Sequence, residues 1–328
     1  HRRAPRAARG RRPRPAGAAV SVRVAVCVST FRRPELLGGL LASLGAMELR
    51  RHPAEVRVVV VDNDAAGSAR AVAEAARGAF PFGLDYALEP ERNISLARNR
   101  AVARALAWGA EWVAFVDDDE VVRPGWLDEL LEVQARSGAD AVAGAVVPRF
   151  PEAAPAWAER SGVYARLHRR SGEPVAFLAT HNALVSARLL RREGGPFDPG
   201  FGISGGGDSL FFLRCAREGA RMVGAAAAIA EETVPPERVR PGWVLRRAFR
   251  TGNGAVFCER ALPPESRRVG QRVLKGVARM AASAAALPVA AVFGRAAAMR
   301  ALWGVCYGAG CASALLGYRY HEYRDTAR

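Results

Sequence analysis

The sequence predicts an α/β protein: a mainly parallel sheet with helices on both faces, plus a C-terminal helical appendage. Apolar runs of strand length alternate with helical segments along the first two thirds of the chain. Polar or acidic residues follow three of those runs directly, and the last third turns to long apolar stretches flanked by arginine. Strand–helix alternation favours a parallel sheet, whose strand C-termini share one ligand crevice.

Val22 to Val28 is the first strand, followed by the polar turn Ser29-Thr30-Phe31-Arg32-Arg33 and a helix opened by Pro34. Glu55 to Val61 is the second strand and ends in Asp62-Asn63-Asp64; a helix over about Ser68 to Arg77 comes next. A short strand near Leu84 to Leu88 precedes a helix that opens within Glu91 to Arg100 and reaches about Ala107. Trp112 to Val116 is a buried strand, and Asp117-Asp118-Asp119-Glu120 stands directly behind it. Thr30, Asp62 and Asp117 therefore line one crevice. Asp117 and Asp119, two residues apart, point to the same side. Converging carboxylates repel unless a cation joins them, and hard oxygen ligands with a phosphate substrate suit Mg²⁺ or Mn²⁺. A solvated acidic turn is the plainer alternative.

Gly125 to Ser137 reads as a helix, Ala141 to Val147 as a strand, Phe150 to Gly172 as an excursion, and Phe177 to Val185 as a return to the sheet. His181 and Asn182 sit at that strand's polar end, as acceptor contacts or as structural hydrogen-bonders. Asp198 to Asp208 is a mobile glycine-rich loop whose Gly205-Gly206-Gly207 lets the backbone approach a ligand. Asp208 stands at the start of the helix Ser209 to Gly219, as an N-cap or as a functional carboxylate.

The last third holds a basic segment from Arg267 to Lys275 and two apolar stretches, Met280 to Gly294 (with Pro288) and Ala301 to Gly317. Each stretch is shorter than the roughly 20 residues of a spanning helix, so both read as interfacial helices, with core helices as the alternative. The expected organisation is a disordered basic arm over 1–20, a catalytic domain over 21–255 and a membrane-associating helical segment over 256–328. The formal charge is +16, almost all from arginine, since Lys275 is the only lysine. Seven arginines in the first 14 residues, with no apolar h-region, suit a basic arm rather than a secretory signal. The surface suits an anionic membrane face or a polyphosphate-bearing substrate. Five cysteines without a CxxC pair point away from disulfides and structural zinc and towards a reducing cytoplasm.

Five motifs occur in order: Val28-Ser29-Thr30-Phe31-Arg32-Arg33, Val60-Val61-Asp62-Asn63, Ala97-Arg98-Asn99, Phe115-Val116-Asp117-Asp118-Asp119 and Gly205-Gly206-Gly207-Asp208. Over about Val22 to Asn253 the chain resembles the inverting family-2 glycosyltransferases of bacterial exopolysaccharide and cell-envelope synthesis. That resemblance implies the GT-A fold, with its Rossmann-like sheet. It implies that Thr30, Arg32, Asp62, Arg98, Asp117 and Asp118 hold the donor nucleotide, that Asp119 of the DxD motif binds Mg²⁺ or Mn²⁺, and that Asp208 is the catalytic base. The implied partners are a nucleoside-diphosphate sugar, a UDP-sugar foremost, and a glycan or polyprenyl-linked acceptor at the inner membrane surface. Arg247 and Arg250, in a post-catalytic segment, join His181 and Asn182 as acceptor contacts. Two departures from the pattern stand at the acceptor end, where the family often has Glu-Asp in place of Gly207-Asp208 and a second acid at Leu210. A nucleotidyltransferase would carry a glycine- and lysine-containing loop in place of Ser29 to Arg33. A nucleic-acid binder would interleave aromatics with its arginines and leaves the acid triplet unexplained, so no nucleic-acid partner is expected.

Overall fold

The computed structural model describes residues 21–166 and 170–320; the basic arm expected over 1–20 lies outside them. The chain runs β1 (Val22–Thr30), α1 (Pro34–Gly45), β2 (Ala54–Asp62), α2 (Arg70–Arg77), β3 (Gly83–Leu88), α3 (Ile94–Ala107) and β4 (Trp112–Val116). It continues with β5 (Glu120–Val122), α4 (Trp126–Ser137), β6 (Ala141–Arg149), α5 (Ala156–Ser161), β7 (Asn182–Ser186), α6 (Ala187–Leu190), α7 (Gly207–Arg217) and β8 (Met222–Thr233). Three helices close it: α8 (Pro241–Arg260), α9 (Val269–Val292) and α10 (Arg295–Ser313).

These strands form one eight-stranded sheet in the order β3-β2-β1-β4-β7-β6-β8-β5. The β1–β4 half is parallel, β7 runs antiparallel to β4 and β6, and β5 runs antiparallel to β8. Alternation along β1 explains the two faces. Val24, Val26 and Val28 join the buried leucines Leu37, Leu40, Leu41 and Leu44 of α1, while Ala25 and Cys27 join Ala97, Ala101 and Ala105 of α3. Burying each such leucine stabilises the fold by about 1.5–3 kcal/mol.

Three expectations are corrected. The return to the sheet begins at Asn182 rather than Phe177, which is 56% exposed. Helix α7 starts at Gly207, so its N-cap is Gly206 and Asp208 lies inside the first turn. A domain boundary at 255 would cut α8, which runs unbroken to Arg260. Most of the stretch from Ala301 to Gly317 forms α10, packed against both α8 and α9. Glycines permit that packing: a Cβ on Gly252 would lie 1.9 Å from the Tyr307 carbonyl oxygen, and one on Gly310 2.0 Å from that of Phe249.

Helix α9 differs from α10. It continues through Pro288 for 24 residues, and Val289, Val292 and Phe293 are 60, 86 and 79% exposed. Together with the turn before it, α9 is the one helix among the described residues long and apolar enough to cross a membrane, by length and composition. All five cysteines are free thiols.

Candidate active site

Register brings the predicted motifs to one edge. Thr30 pairs with Asp62 at the ends of β1 and β2, and Cys27 pairs with Phe115 one strand over, so the acid turn after β4 faces the end of β1. Thr30 donates its hydroxyl to Asp118 at 2.8 Å, and Arg33 reaches Asp118 at 3.2 Å and Asp119 at 3.1 Å. Arg98, on α3, lies 3.6 Å from Asp117. From the other side Arg238 approaches Asp119 at 3.6 Å and Glu232 at 3.7 Å.

The acids therefore form one patch. Asp118 points inward, and burial pushes its carboxyl up to about 6 against the pull of Arg33. Burial also raises Asp117, opposed by Arg98 and reinforced by Asp119 and Asp208. Asp119 is raised by burial and then by Glu232. Glu120 is held well above the ordinary range by burial and by Asp117; it accepts the Asp117 amide at 2.9 Å, and its second oxygen is buried without a partner. Carboxylates that raise one another in this way fit a hard cation, which would relieve the repulsion. No closed cage of three or more His, Cys, Asp or Glu side chains occurs among the described residues. The donor set suits a cation that shares one or two carboxylates with substrate phosphates, the usual Mg²⁺ arrangement.

Asp208 belongs to this patch, because its charge acts on Asp117. The glycines before it have local reasons. Gly205 and Gly206 take φ of +75° and +95°, and a Cβ on Gly207 would meet the Ser95 hydroxyl at 2.8 Å. Their need is backbone conformation and packing on α3. Asn99 fixes the chain leading into the loop, accepting from the Phe197 amide at 2.9 Å and donating to its carbonyl at 2.7 Å. Asn93 caps α3 and donates to the Pro199 carbonyl.

Two predicted contacts are buried. Asp62 is 0% exposed and its oxygens accept from the Asp64 and Ala69 amides and the Tyr86 hydroxyl, so it shapes the loop after β2. Asn182 is 1% exposed; it accepts from the Trp126 indole and donates to the carbonyls of Ala145 and Ala228. Gly144 leaves room for it, since a Cβ there would lie 2.2 Å from its oxygen. Asn182 is a structural pin across a bulged sheet and no acceptor contact. His181 precedes it and is partly buried. Arg32 keeps a left-handed φ of 55°, with its side chain 64% exposed and 3.4 Å from Asp64. Burial alone would raise Asp64, and Arg32 and the Ala66 amide outweigh it and pull it down.

The motif reading missed the roles of Arg33, Glu232 and Arg238. Arg33 ends the first motif and could have been found there. Glu232 enters through the antiparallel register of β5 with β8, Glu120 opposite Glu232, which local spacing does not announce.

A mainly parallel sheet carries an acid turn and a carboxylate-bearing helix at one edge, the arrangement that the GT-A resemblance of the sequence implies. The chain matches the family model described as glycosyl transferase family 2 over residues 25–194, and that described as glycosyl transferase family group 2 over 112–315. It belongs to glycosyl transferase family 2. It is 35% identical over 243 residues to the succinoglycan biosynthesis protein ExoM of Rhizobium meliloti (strain 1021), covering 74% of this chain and 77% of that protein. Among solved structures it resembles the mannosyltransferase PcManGT from Pyrobaculum calidifontis, with a TM-score of 0.60 and 22% identity over 92% of this chain and 90% of that one. It also resembles S. aureus TarS, with a TM-score of 0.51 and 15% identity over 77% of this chain and 52% of that one. At these identities the structural likeness carries the fold.

Proposed function

We propose that this glycosyltransferase moves a sugar, with inversion, from a nucleoside-diphosphate sugar to a hydroxyl of a glycan or polyprenyl-linked acceptor in exopolysaccharide synthesis. The carrying observation is that Asp208, in the first turn of α7, stands near enough to the acid turn for its charge to act on Asp117. The 35% identity to a succinoglycan biosynthesis protein supports the polysaccharide context. The Pyrobaculum enzyme was solved with GDP-Man and Mn²⁺, which supports a nucleotide-sugar donor and a divalent cation. A UDP-sugar is the first donor to test and GDP-mannose the second.

In this reading Thr30, Arg32, Asp117 and Asp118 form the donor end, and Arg98 and Arg33 offset charge on the leaving diphosphate. Asp119, with the donor's own phosphates, would hold Mg²⁺ or Mn²⁺, whose chemistry is to stabilise that leaving group. Asp208 accepts the proton of the acceptor hydroxyl as its oxygen attacks the anomeric carbon opposite the diphosphate. Preorganised charge gives the larger share of the acceleration, and a positioned base gives about 10² to 10⁴. Arg247, Arg250 and His181 lie on the acceptor side. Residues 21–260 form the catalytic unit in this reading. The exposed face of α9, with arginines at both ends, rests on the cytoplasmic face of the plasma membrane.

Asp208→Asn tests the central role. It keeps size and polarity but cannot take up a proton, so kcat should fall about 10² to 10⁴ with donor affinity nearly intact. Turnover within a few-fold of wild type removes Asp208 from the mechanism.

A further inference from the structure

Beyond the acid patch, on the side away from Arg98, three elements bring arginines together. Arg166 comes from the 150–172 excursion, held beside β6 by two backbone hydrogen bonds to Val146. Arg238 precedes α8, and Arg247 lies on its second turn. Glu232 is the shared counter-ion, 3.5 Å from Arg166 and 3.7 Å from Arg238. The Arg247 carbonyl accepts from the Thr251 hydroxyl, but its guanidinium has no hydrogen-bond or ion-pair partner among the described residues. Its guanidinium lies 5.2 Å from the centre of the Trp243 ring, and Arg238 lies 5.7 Å from the same ring. Tyr164 stacks parallel to that ring and donates its hydroxyl to the Arg238 carbonyl at 2.9 Å. Burial, then repulsion from Arg166, lowers Arg247 to about 10, so the fold carries a partly desolvated cation among like charges.

Such an arrangement is costly without an anion. Glu232 answers only part of three positive charges, and a cation at Asp119 would withdraw that acid from Arg238. The apolar side of the cluster indicates where the anion comes from. Trp157, Tyr164, Val239, Val244 and Met299 form one core with Trp243 and Trp303, which joins the arginines to α10 and so to the exposed face of α9.

We propose that Arg166, Arg238 and Arg247 bind the phosphate or diphosphate of a polyprenyl-linked acceptor, as an anion site separate from that of the donor. This rests on the transferase reading of the neighbouring patch. The lipid would lie against α9 and α10, and its phosphate would sit where Glu232 now stands in. Planar guanidinium groups suit phosphate oxygens, and hydrogen bonds between charged groups are the strong ones.

The test is binding of farnesyl diphosphate to the full-length protein in detergent with EDTA, with farnesol as control and inorganic diphosphate as competitor. Farnesyl diphosphate should bind at least about tenfold more tightly than farnesol and yield to inorganic diphosphate. Arg247→Ala and Arg166→Ala should each weaken it about tenfold, while Asp119→Ala should not; two separate elements guard against one variant failing to fold. UDP binding with Mn²⁺, measured on the same samples, should be little changed by Arg247→Ala. Equal affinity for farnesol, or no loss in either arginine variant, overturns the proposal. An equal loss of UDP·Mn²⁺ binding in Arg247→Ala assigns the cluster to the donor and overturns it too. A wild type that binds farnesyl diphosphate but no nucleotide upholds the anion site and removes the donor reading of the acid patch instead.

Discussion

Single carboxylates in this chain divide by where their oxygens go. Asp62 is spent on the backbone of its own loop, whereas Asp119 meets only guanidinium groups that have other acids to turn to: Arg33 keeps Asp118, and Arg238 keeps Glu232. Asp119→Ala should therefore leave Tm within a few degrees of wild type. It should weaken Mn²⁺-dependent nucleotide binding by tenfold or more, as nucleotide titration with and without EDTA would show; unchanged, metal-independent binding would remove Asp119 from the site. The positions of Thr30, Asp117, Asp118, Asp119 and Asp208 in the fold were legible because each ends, follows or opens an element. Asn182 was misread because a polar residue beginning a strand looks the same whether it faces solvent or crosses a bulge. The position of Glu232 opposite Glu120 depends on long-range register, which no local spacing encodes.

Helices were legible as to existence and misjudged as to partner. The two C-terminal apolar stretches have similar composition, yet α10 is packed between α8 and α9 because glycines lie where backbones must touch, and α9 keeps an open face. Replacing Val289, Val292 and Phe293 with Asp should release the protein from anionic vesicles into the supernatant without lowering Tm, because these side chains are exposed. Continued co-sedimentation would separate α9 from membrane contact. Glu259, 1% exposed, ties α7, α8 and α9 by accepting from Arg217 and Arg272 at 3.0 Å and from the Arg268 amide at 3.1 Å. Burial alone would raise its carboxyl; those hydrogen bonds win and hold it below 4.5. A depressed folded pKa gives stability that is present above the unfolded value and lost as pH falls through the folded one. Glu259→Gln should thus cost about 3 kcal/mol near pH 7. In paired denaturant melts the deficit should shrink below about pH 4.5; a pH-independent deficit would mean that packing, not charge, is lost.

At the scale of the whole molecule the sheet, the acid patch and the helical appendage form one continuous structure. Alternating strand and helix made the parallel half readable, since each step there is local. The other half, β7-β6-β8-β5, mixes antiparallel pairs with the parallel β6–β8 pair, so its pairing appeared only in the structure. That half supplies Glu232 and holds Arg166 beside β6. The account's central claim is inverting transfer from a nucleoside-diphosphate sugar at this combined site. The most direct measurement is a donor panel with Mn²⁺, following nucleoside diphosphate release and the anomeric configuration of the transferred or released sugar by proton NMR. An α-linked donor should give a β product, with release abolished by EDTA and by Asp208→Asn. An α product, or release indifferent to both, would contradict it.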